Sequence, residues 1–561
     1  MPGSRFICSL FHRQFSKIIL GGLCYYAALP PLGLFPLAFL TPFFWACVIT
    51  NPEKIKKRYV YFTAILFWLA SIWWIACPHP LTLLGLSALA AFLSLYWVLF
   101  FVSAHIAVHR FRISVTLAVP ICWIGCEYLR CRIFGGFSFC AIEHSFYRMA
   151  ILIQLAGIGG QYLVGGFIMA IGAALLKKDG IGIKKTGIAL KCPGILAAVM
   201  LFYGAASLIT VEQRINNVKD KPPFHQIVAL QGDIPVSLNS ESGFGEKTFR
   251  RFLDLTYQKI NEHKEMSNAL PELIIFPETV CPIPVLEFTG AIKPAGVNLS
   301  EEETVDGYRQ LQNFVNHIQT PALIGLSAFS FEDTAEPQRL NAALLLHPVS
   351  EAASSGTLPY NFRYDKIHLV MFGEYIPFSQ YLPDNFIIKT LCQEAGRGKI
   401  PVAMPVGSGI TASVNICFES TVPHFIRSQV LSLRKQGSAP NLLINISNDG
   451  WFRFSQQIDQ HLATHIFRAV ENGMWYVTAT NGGFSAVISP GGTIEAIGKR
   501  GRAEAVEGTV YPEVNYPPTV YQYIGDWYAL LCAVLTTAFL LSAPFMQSKQ
   551  HLRNRHLRTQ R

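Results

Sequence analysis

Three strand-like stretches of this sequence each end on a side chain that can react. Leu273-Ile274-Ile275-Phe276-Pro277 runs into Glu278. Tyr364-Asp365 runs into Lys366, with Phe372-Gly373-Glu374-Tyr375 soon after. Ser413-Val414-Asn415-Ile416 runs into Cys417, with Phe418 and Glu419 behind it. A carboxylate, an amine and a thiol at strand ends can converge across one sheet edge. A thiol attacks as the thiolate, and a positive neighbour lowers its pKa. A carboxylate can accept its proton as general base. A lysine can stabilise the oxyanion of acyl transfer. Glu278, Lys366 and Cys417 are therefore the candidate catalytic residues, and acyl transfer is the chemistry they suit.

The block 211–525 must position them. Its strand candidates are His225–Leu230, Leu273–Phe276, Ala322–Ser327, Ala342–Leu346, Thr411–Ile416, Leu442–Ile446, Tyr476–Ala479 and Ser485–Ile488. Helical periodicity covers 247–264, 303–317, 421–435 and 456–472. Mixed strands and helices with buried strands make this an α/β or α+β domain. The stretches 281–305 and 370–400 look loop-rich and are candidate lids.

The rest of the chain has another character. Of the 561 residues, 51% are apolar and 15% charged, against roughly 25% charged in soluble domains. Mean hydropathy is +0.31. That excludes a disordered chain. Residues 211–525 hold 24 Lys and Arg against 31 Asp and Glu, a net of −7. The remaining residues hold 22 against 5, a net of +17. Positive charge therefore belongs to the apolar part, unlike a nucleic-acid binder.

A bilayer-spanning helix needs about 20 residues. Eight apolar runs qualify as candidates: 18–29, 33–49, 60–77, 81–108, 114–130, 157–176, 193–210 and 527–546. The first is short and could form a hairpin with the second. It lacks an A-x-A cleavage site, and Leu23 precedes Cys24, so it reads as retained. Basic residues cluster at 54–58, 110–112, 177–191 and 549–561. The positive-inside rule puts these, and both termini, in the cytoplasm and the 211–525 block outside. The organisation expected is a membrane domain over 1–210 with about seven helices, a catalytic domain over 211–525, and a last helix with a basic tail over 526–561.

Thirteen cysteines form no C-x-x-C pair and no disulfide framework. Cys281 and Cys392 read as structural, and Cys122, Cys126 and Cys131 as packing residues. His461 and His465 have helical metal-ligand spacing, but no third ligand is in sight, so no metal is expected. Glu127 and Arg130 near a membrane end either pair with each other or touch lipid headgroups.

The ordered motifs resemble one family. The Glu-Lys-Cys set resembles the nitrilase superfamily. The stretch Asn361 to Pro377, the N-I-C-F-E around Cys417, Gln231–Pro235, Asn448-Asp449-Gly450-Trp451-Phe452, the Gln460-His461 to Glu471 helix, and Glu127, Arg130, Gly136 and Phe137 are similar to apolipoprotein N-acyltransferases. The resemblance covers nearly the whole chain. It implies a multi-span α-helical membrane domain of about eight helices plus a nitrilase-like α-β-β-α sandwich. It implies a reaction as well. Cys417 takes an acyl chain from a phospholipid, usually phosphatidylethanolamine, as a thioester. The α-amino group of a diacylglyceryl-cysteine lipoprotein then accepts it. Glu278 shuttles protons and Lys366 stabilises tetrahedral intermediates. Glu374 orients Lys366 or substrate, and Phe418, Glu419, Asn448 and Trp451 support the site or bind substrate. No cofactor and no nucleic acid is implied. The location implied is the bacterial inner membrane, with the catalytic domain in the periplasm.

Three positions depart from the family pattern: Phe418 for Tyr, Ser240 for Trp, and Met371 for Pro. They bear on substrate handling. Two other readings compete. A membrane-tethered amidase would share the triad but would not need many spans. A transporter or scaffold would not need the triad.

Overall fold

The computed structural model describes residues 3–176, 193–219, 225–236, 243–266, 269–288, 301–331, 338–349, 362–381, 383, 392, 394–407, 409–452, 455–512 and 517–542. The chain divides into two compact units, Met1–Leu208 with Tyr523–Arg561, and Ile209–Gln522. The division falls inside one helix, Pro193–Lys219. The apolar run there ends near 210, but Val211–Lys219 contains no Gly or Pro to stop the helix.

In the first unit, each of the eight apolar runs contains helix. The ranges are Gly3–Ala28, Leu37–Ile49, Lys57–Ser71, Thr82–His109, Val115–Arg130, Ala156–Ala174, Pro193–Lys219 and Trp527–Ser542. Among the described residues, Thr82–His109, Ala156–Ala174 and Pro193–Lys219 are long and apolar enough to cross a membrane. Leu37–Ile49 and Trp527–Ser542 are apolar but shorter. The basic residues at 177–191 and 549–561 lie outside the described residues.

Aromatic rings hold this unit together. Tyr25 stacks on Phe67 at 4.7 Å between centroids, and Trp45 meets Trp97 edge-on at 4.7 Å. Trp123 closes the cluster 5.2 Å from Trp45. Such pairs add about 0.5–1.5 kcal/mol beyond burial. Glu127 and Arg130 pair with each other. The Arg130 Nη1 also donates to the carbonyls of Phe137 at 2.6 Å and Phe139 at 2.8 Å. A buried cation is tolerable when it is paired and each of its three nitrogens donates in this way. Cys122, Cys126, Cys131, Cys281 and Cys392 are buried and free.

The second unit contains two sheets. The first has the order β13 (Glu504–Val510), β1 (His225–Gln231), β2 (Leu273–Ile275), β4 (Ala322–Phe331), β5 (Gln338–Leu346), β6 (Arg363–Asp365), with β3 (Cys281–Phe288) also on β4. The second runs β12 (Ile494–Ile497), β11 (Ala486–Ile488), β10 (Trp475–Asn481), β9 (Leu442–Asn448), β8 (Ile410–Ile416), β7 (Ala403–Gly407). Alternate residues of a strand face opposite sides. On β1, Ile227 and Ala229 pack inward against Val414, Ile444 and Val477 of the second sheet. Val228 and Leu230 pack outward against Phe252 and Ile260 of helix Phe244–Met266 and Val315 of helix Glu301–Ile318.

The outer face of the second sheet is buried but polar: Ser413, Asn415, Asn445, Ser447 and Thr478 are all fully buried. Helices Pro423–Lys435 and Gln457–Asn472 cover it. Gln429 donates to the Val414 carbonyl at 2.8 Å, and the His465 ring stacks on Tyr476 at 5.2 Å. The architecture is the α-β-β-α sandwich.

Part of the stretch read as loop, 281–305, is strand β3 followed by helix from Glu301. Pro282 and Pro284 disguise it, since proline is confined to edge strands and bulges. The pairing shifts register between Cys281 and Val285, where those prolines sit. Residues 289–300 and, in the second lid candidate, 382, 384–391 and 393 lie outside the described residues.

Candidate active site

Glu278 follows β2 after Phe276 and Pro277. Its path depends on Gly325 of β4. A Cβ there would lie 2.2 Å from the Pro277 carbonyl oxygen and 2.8 Å from Glu278 Cα. The Glu278 carboxylate is buried and fully engaged. Oε1 accepts from Asn341 Nδ2 at 2.7 Å and from Lys366 Nζ at 3.4 Å. Oε2 accepts from the Asn448 backbone N–H at 2.9 Å.

Lys366 leaves the end of β6 and is 1% exposed. Its backbone N–H donates to the Asn341 carbonyl at 2.8 Å, continuing the β5–β6 ladder. Its Nζ donates to Glu374 Oε1 at 2.7 Å. Burial pushes its pKa down, but the Glu374 and Glu278 carboxylates outweigh that and hold the ammonium above its ordinary value. Glu374 is steadied by the Val370 N–H, which donates to Oε2 at 2.8 Å.

Cys417 follows β8 with φ +52°, a left-handed conformation that non-glycine residues rarely adopt. Burial pushes its thiol well above the ordinary value, and the Glu278 charge adds to that. The Lys366 ammonium and the Ser447 hydroxyl pull the other way without prevailing. A lysine neighbour alone would suggest a thiolate. In the fold the resting group is the thiol, so its proton must leave as the sulfur attacks.

The residues thus meet, though not at one sheet edge as the sequence suggested. Glu278 and Lys366 come from the first sheet and Cys417 from the second. Asn341 was not singled out in the sequence, where it is a lone amide in a strand. Its Nδ2 reaches both Glu278 and Glu374, the latter at 3.4 Å. Only the β5–β6 register places it beside Lys366.

A family model described as the apolipoprotein N-acyltransferase N-terminal domain matches residues 21–174. One described as carbon-nitrogen hydrolase matches residues 252–516. The chain is 26% identical to an apolipoprotein N-acyltransferase of Geobacter metallireducens over 96% of each chain. It is 26% identical to one of Rhodopirellula baltica, over 90% of this chain and 93% of the relative. Apolipoprotein N-acyltransferase 1 of Treponema denticola is 26% identical over 94% of each. Over most of its length the chain is similar to apolipoprotein N-acyltransferases, and its N-terminal part matches the domain model of that family. It is also similar to a solved amidase from Nesterenkonia sp., with 16% identity over 53% of this chain and 92% of that one, at a TM-score of 0.32.

The other residues named from the sequence each have their own setting. Glu419 is fully buried and its carboxylate is bound by backbone. Oε1 accepts the N–H groups of Ile367 and His368 at 2.8 Å each, and Oε2 accepts that of Ile416 at 2.7 Å. The Tyr364 hydroxyl donates to both oxygens, at 2.8 and 2.9 Å. Glu419 therefore staples the segment after Lys366 to the strand end before Cys417. Burial pushes its carboxyl up to about 7.

The Phe418 ring stacks on His368 at 5.9 Å. Asn448 serves Glu278 through its backbone N–H, while its Oδ1 accepts from Asn481 at 2.9 Å. Trp451 is half-buried in the turn Asp449–Phe452. Met371 pairs with Tyr375 across a tight turn next to Glu374. Ser240 lies outside the described residues. Among the described residues no three His, Cys, Asp or Glu are grouped to hold a metal.

Asn341→Ala tests this geometry directly. It removes a donor to two carboxylates, a bond to a charged group worth about 1.5–3 kcal/mol. The acylation rate of Cys417 is expected to fall by about ten- to a hundredfold. A time course of adduct formation by mass spectrometry measures it, and an unchanged rate would remove Asn341 from the site.

Proposed function

We propose that the chain transfers a fatty acyl chain from a phospholipid, through a Cys417 thioester, to the α-amino group of the diacylglyceryl-cysteine that begins an apolipoprotein. One observation carries this reading. A thiol, an ammonium and two carboxylates meet in one cluster around the buried Lys366 and Glu278, on a chain that also bears a match to the N-terminal domain of the acyltransferase family.

The steps follow from the contacts. Sγ attacks the donor ester carbonyl while its proton passes to Glu278. The developing oxyanion is stabilised by Lys366 Nζ, a charge already fixed in a site with little water. The intermediate collapses, and Glu278 returns the proton to the departing glycerol oxygen. A lysophospholipid leaves and the thioester remains. The neutral amine, with an ordinary pKa near ~8, then attacks the thioester carbon. Glu278 takes a proton from nitrogen and gives it to the departing sulfur. Glu374 holds Lys366 in place throughout, and Glu419 positions the backbone.

Phosphatidylethanolamine is the proposed donor. The proposed location is the bacterial inner membrane, with the Ile209–Gln522 unit in the periplasm and both termini in the cytoplasm. The charge split between the two parts of the chain supports that orientation.

The test is intact-mass analysis of purified protein with phosphatidylethanolamine, beside Cys417→Ala. A mass increase of one acyl chain is expected, absent in the variant and discharged by a diacylglyceryl peptide with a free amine. A folded wild-type protein that gains no mass would defeat the phospholipid-donor reading. An adduct that decays equally fast without the amine would make the chain a hydrolase.

A further inference from the structure

Behind Cys417 lies a second group of polar side chains that the transfer steps do not use. The Ser420 hydroxyl donates to the Cys417 carbonyl at 2.9 Å. It also lies 2.9 Å from His461 Nε2 and 3.2 Å from His465 Nε2. His461 Nδ1 is 3.1 and 3.2 Å from the two oxygens of Asp449. Asp449 Oδ1 in turn accepts from Ser447 at 2.9 Å and Gln457 at 3.1 Å. All of these side chains are buried.

We propose that Asp449, His461 and Ser420 form a relay that positions the Cys417 nucleophile through its backbone carbonyl. The inference rests on the reading of Cys417 as the acylated residue, and Ser420, His461 and Asp449 are positioning residues.

Proton counting supports the assignment. A hydroxyl has one proton and two lone pairs. The Asp449 carboxylate holds a proton on His461 Nδ1. His465 Nδ1 has no partner among the described residues. Placing the His465 proton on Nε2 therefore leaves a lone pair unpaired rather than an N–H, the less costly choice. Burial, with the charges of His461 and Arg468, holds that ring neutral. The Ser420 proton goes to the Cys417 carbonyl, and the hydroxyl oxygen lies within hydrogen-bond distance of both rings.

The need for such a hold is visible in the backbone. Cys417 keeps its left-handed conformation only if its surroundings over-determine it. Asn445 Nδ2 is a second donor to the same carbonyl, at 3.2 Å. Two donors on one oxygen fix the plane of the 417–418 peptide, and with it the direction of the thiol. Ser420, His461 and Asp449 have the contacts of a nucleophile–base–acid triad. Ser420 is fully buried, however, and its proton is engaged, so the group acts on Cys417 and not on a substrate.

The experiment measures single-turnover acylation of full-length wild type, Ser420→Ala, His461→Asn, His461→Gln and the Ser420→Ala/His461→Asn double variant, over a range of phosphatidylethanolamine. Asn reaches the Nδ1 position of histidine and Gln the Nε2 position. Ser420→Ala and His461→Asn are expected to lower the limiting rate about tenfold, with the half-saturating concentration unchanged. His461→Gln keeps a group beside Ser420 and is expected to stay within about threefold of wild type. The double variant is expected to be no slower than Ser420→Ala.

A wild-type rate in Ser420→Ala overturns the relay, and so does a double variant whose losses multiply. If Ser420→Ala does not fold, the ranking of His461→Asn below His461→Gln decides, and equal rates overturn the proposal. If wild type forms no adduct, the acyl-transfer reading falls by itself. Iodoacetamide alkylation of Cys417 in the same proteins then decides the relay by the same ranking.

Discussion

Glu278→Gln is expected to slow acylation of Cys417 by about 10²–10⁴-fold, the usual contribution of a general base. The amide keeps the side chain's size and can still accept from the Asn448 N–H. It cannot take a proton. The resting sulfur is a thiol, because burial and the Glu278 charge both push its pKa up. The substitution removes one of those two causes. Cys417 should therefore ionise more readily while its reaction with phospholipid nearly stops. Two measurements separate these effects. Alkylation by iodoacetamide at fixed pH should become faster than in wild type, and acyl-adduct formation should become far slower. A variant that loses both together has merely lost its fold. One that keeps acylation would show that the proton leaves by another route.

Lys366→Met should be both inactive and destabilised. Its ammonium lies between Glu278 and Glu374, at 3.4 and 2.7 Å. Methionine leaves two buried carboxylates without that cation, a change that typically costs about 3–5 kcal/mol. Losing an oxyanion partner should lower the acylation rate by a further factor of about 10²–10³. Thermal unfolding of the variant beside wild type measures the loss, and an unchanged midpoint would mean that the two carboxylates do not depend on the cation.

Glu278 and Cys417 were legible as candidates because each ends a strand pattern rich in apolar residues, which is local. Lys366 follows the polar Arg363-Tyr364-Asp365 and was legible by its motif, and the helices over 247–264 and 456–472 that flank the sheets by their periodicity. The N-I-C-F-E and N-D-G-W-F segments carried the family resemblance because they too are local. Strand β3 was missed because Pro282 and Pro284 argue against a strand, and only its partner β4 makes one of it. Strands β12 and β13 were missed because Ile494–Ile497 and Glu504–Val510 mix charged residues with apolar ones.

The sequence by itself determined the reactive groups, their order, and the division into an apolar basic part and a polar acidic one. Tertiary structure decided what those groups experience. Cys417 comes from one sheet while Glu278 and Lys366 come from the other, and no spacing along the chain reports a distance between sheets. Asn341 gains its role from the β5–β6 register, and Gly325 from the passage of Pro277 across β4. The thiol's protonation follows the same rule. The sequence says that a lysine is available, but burial and the Glu278 carboxylate set the balance. Those act through space, over distances that exist only once both sheets have closed on each other.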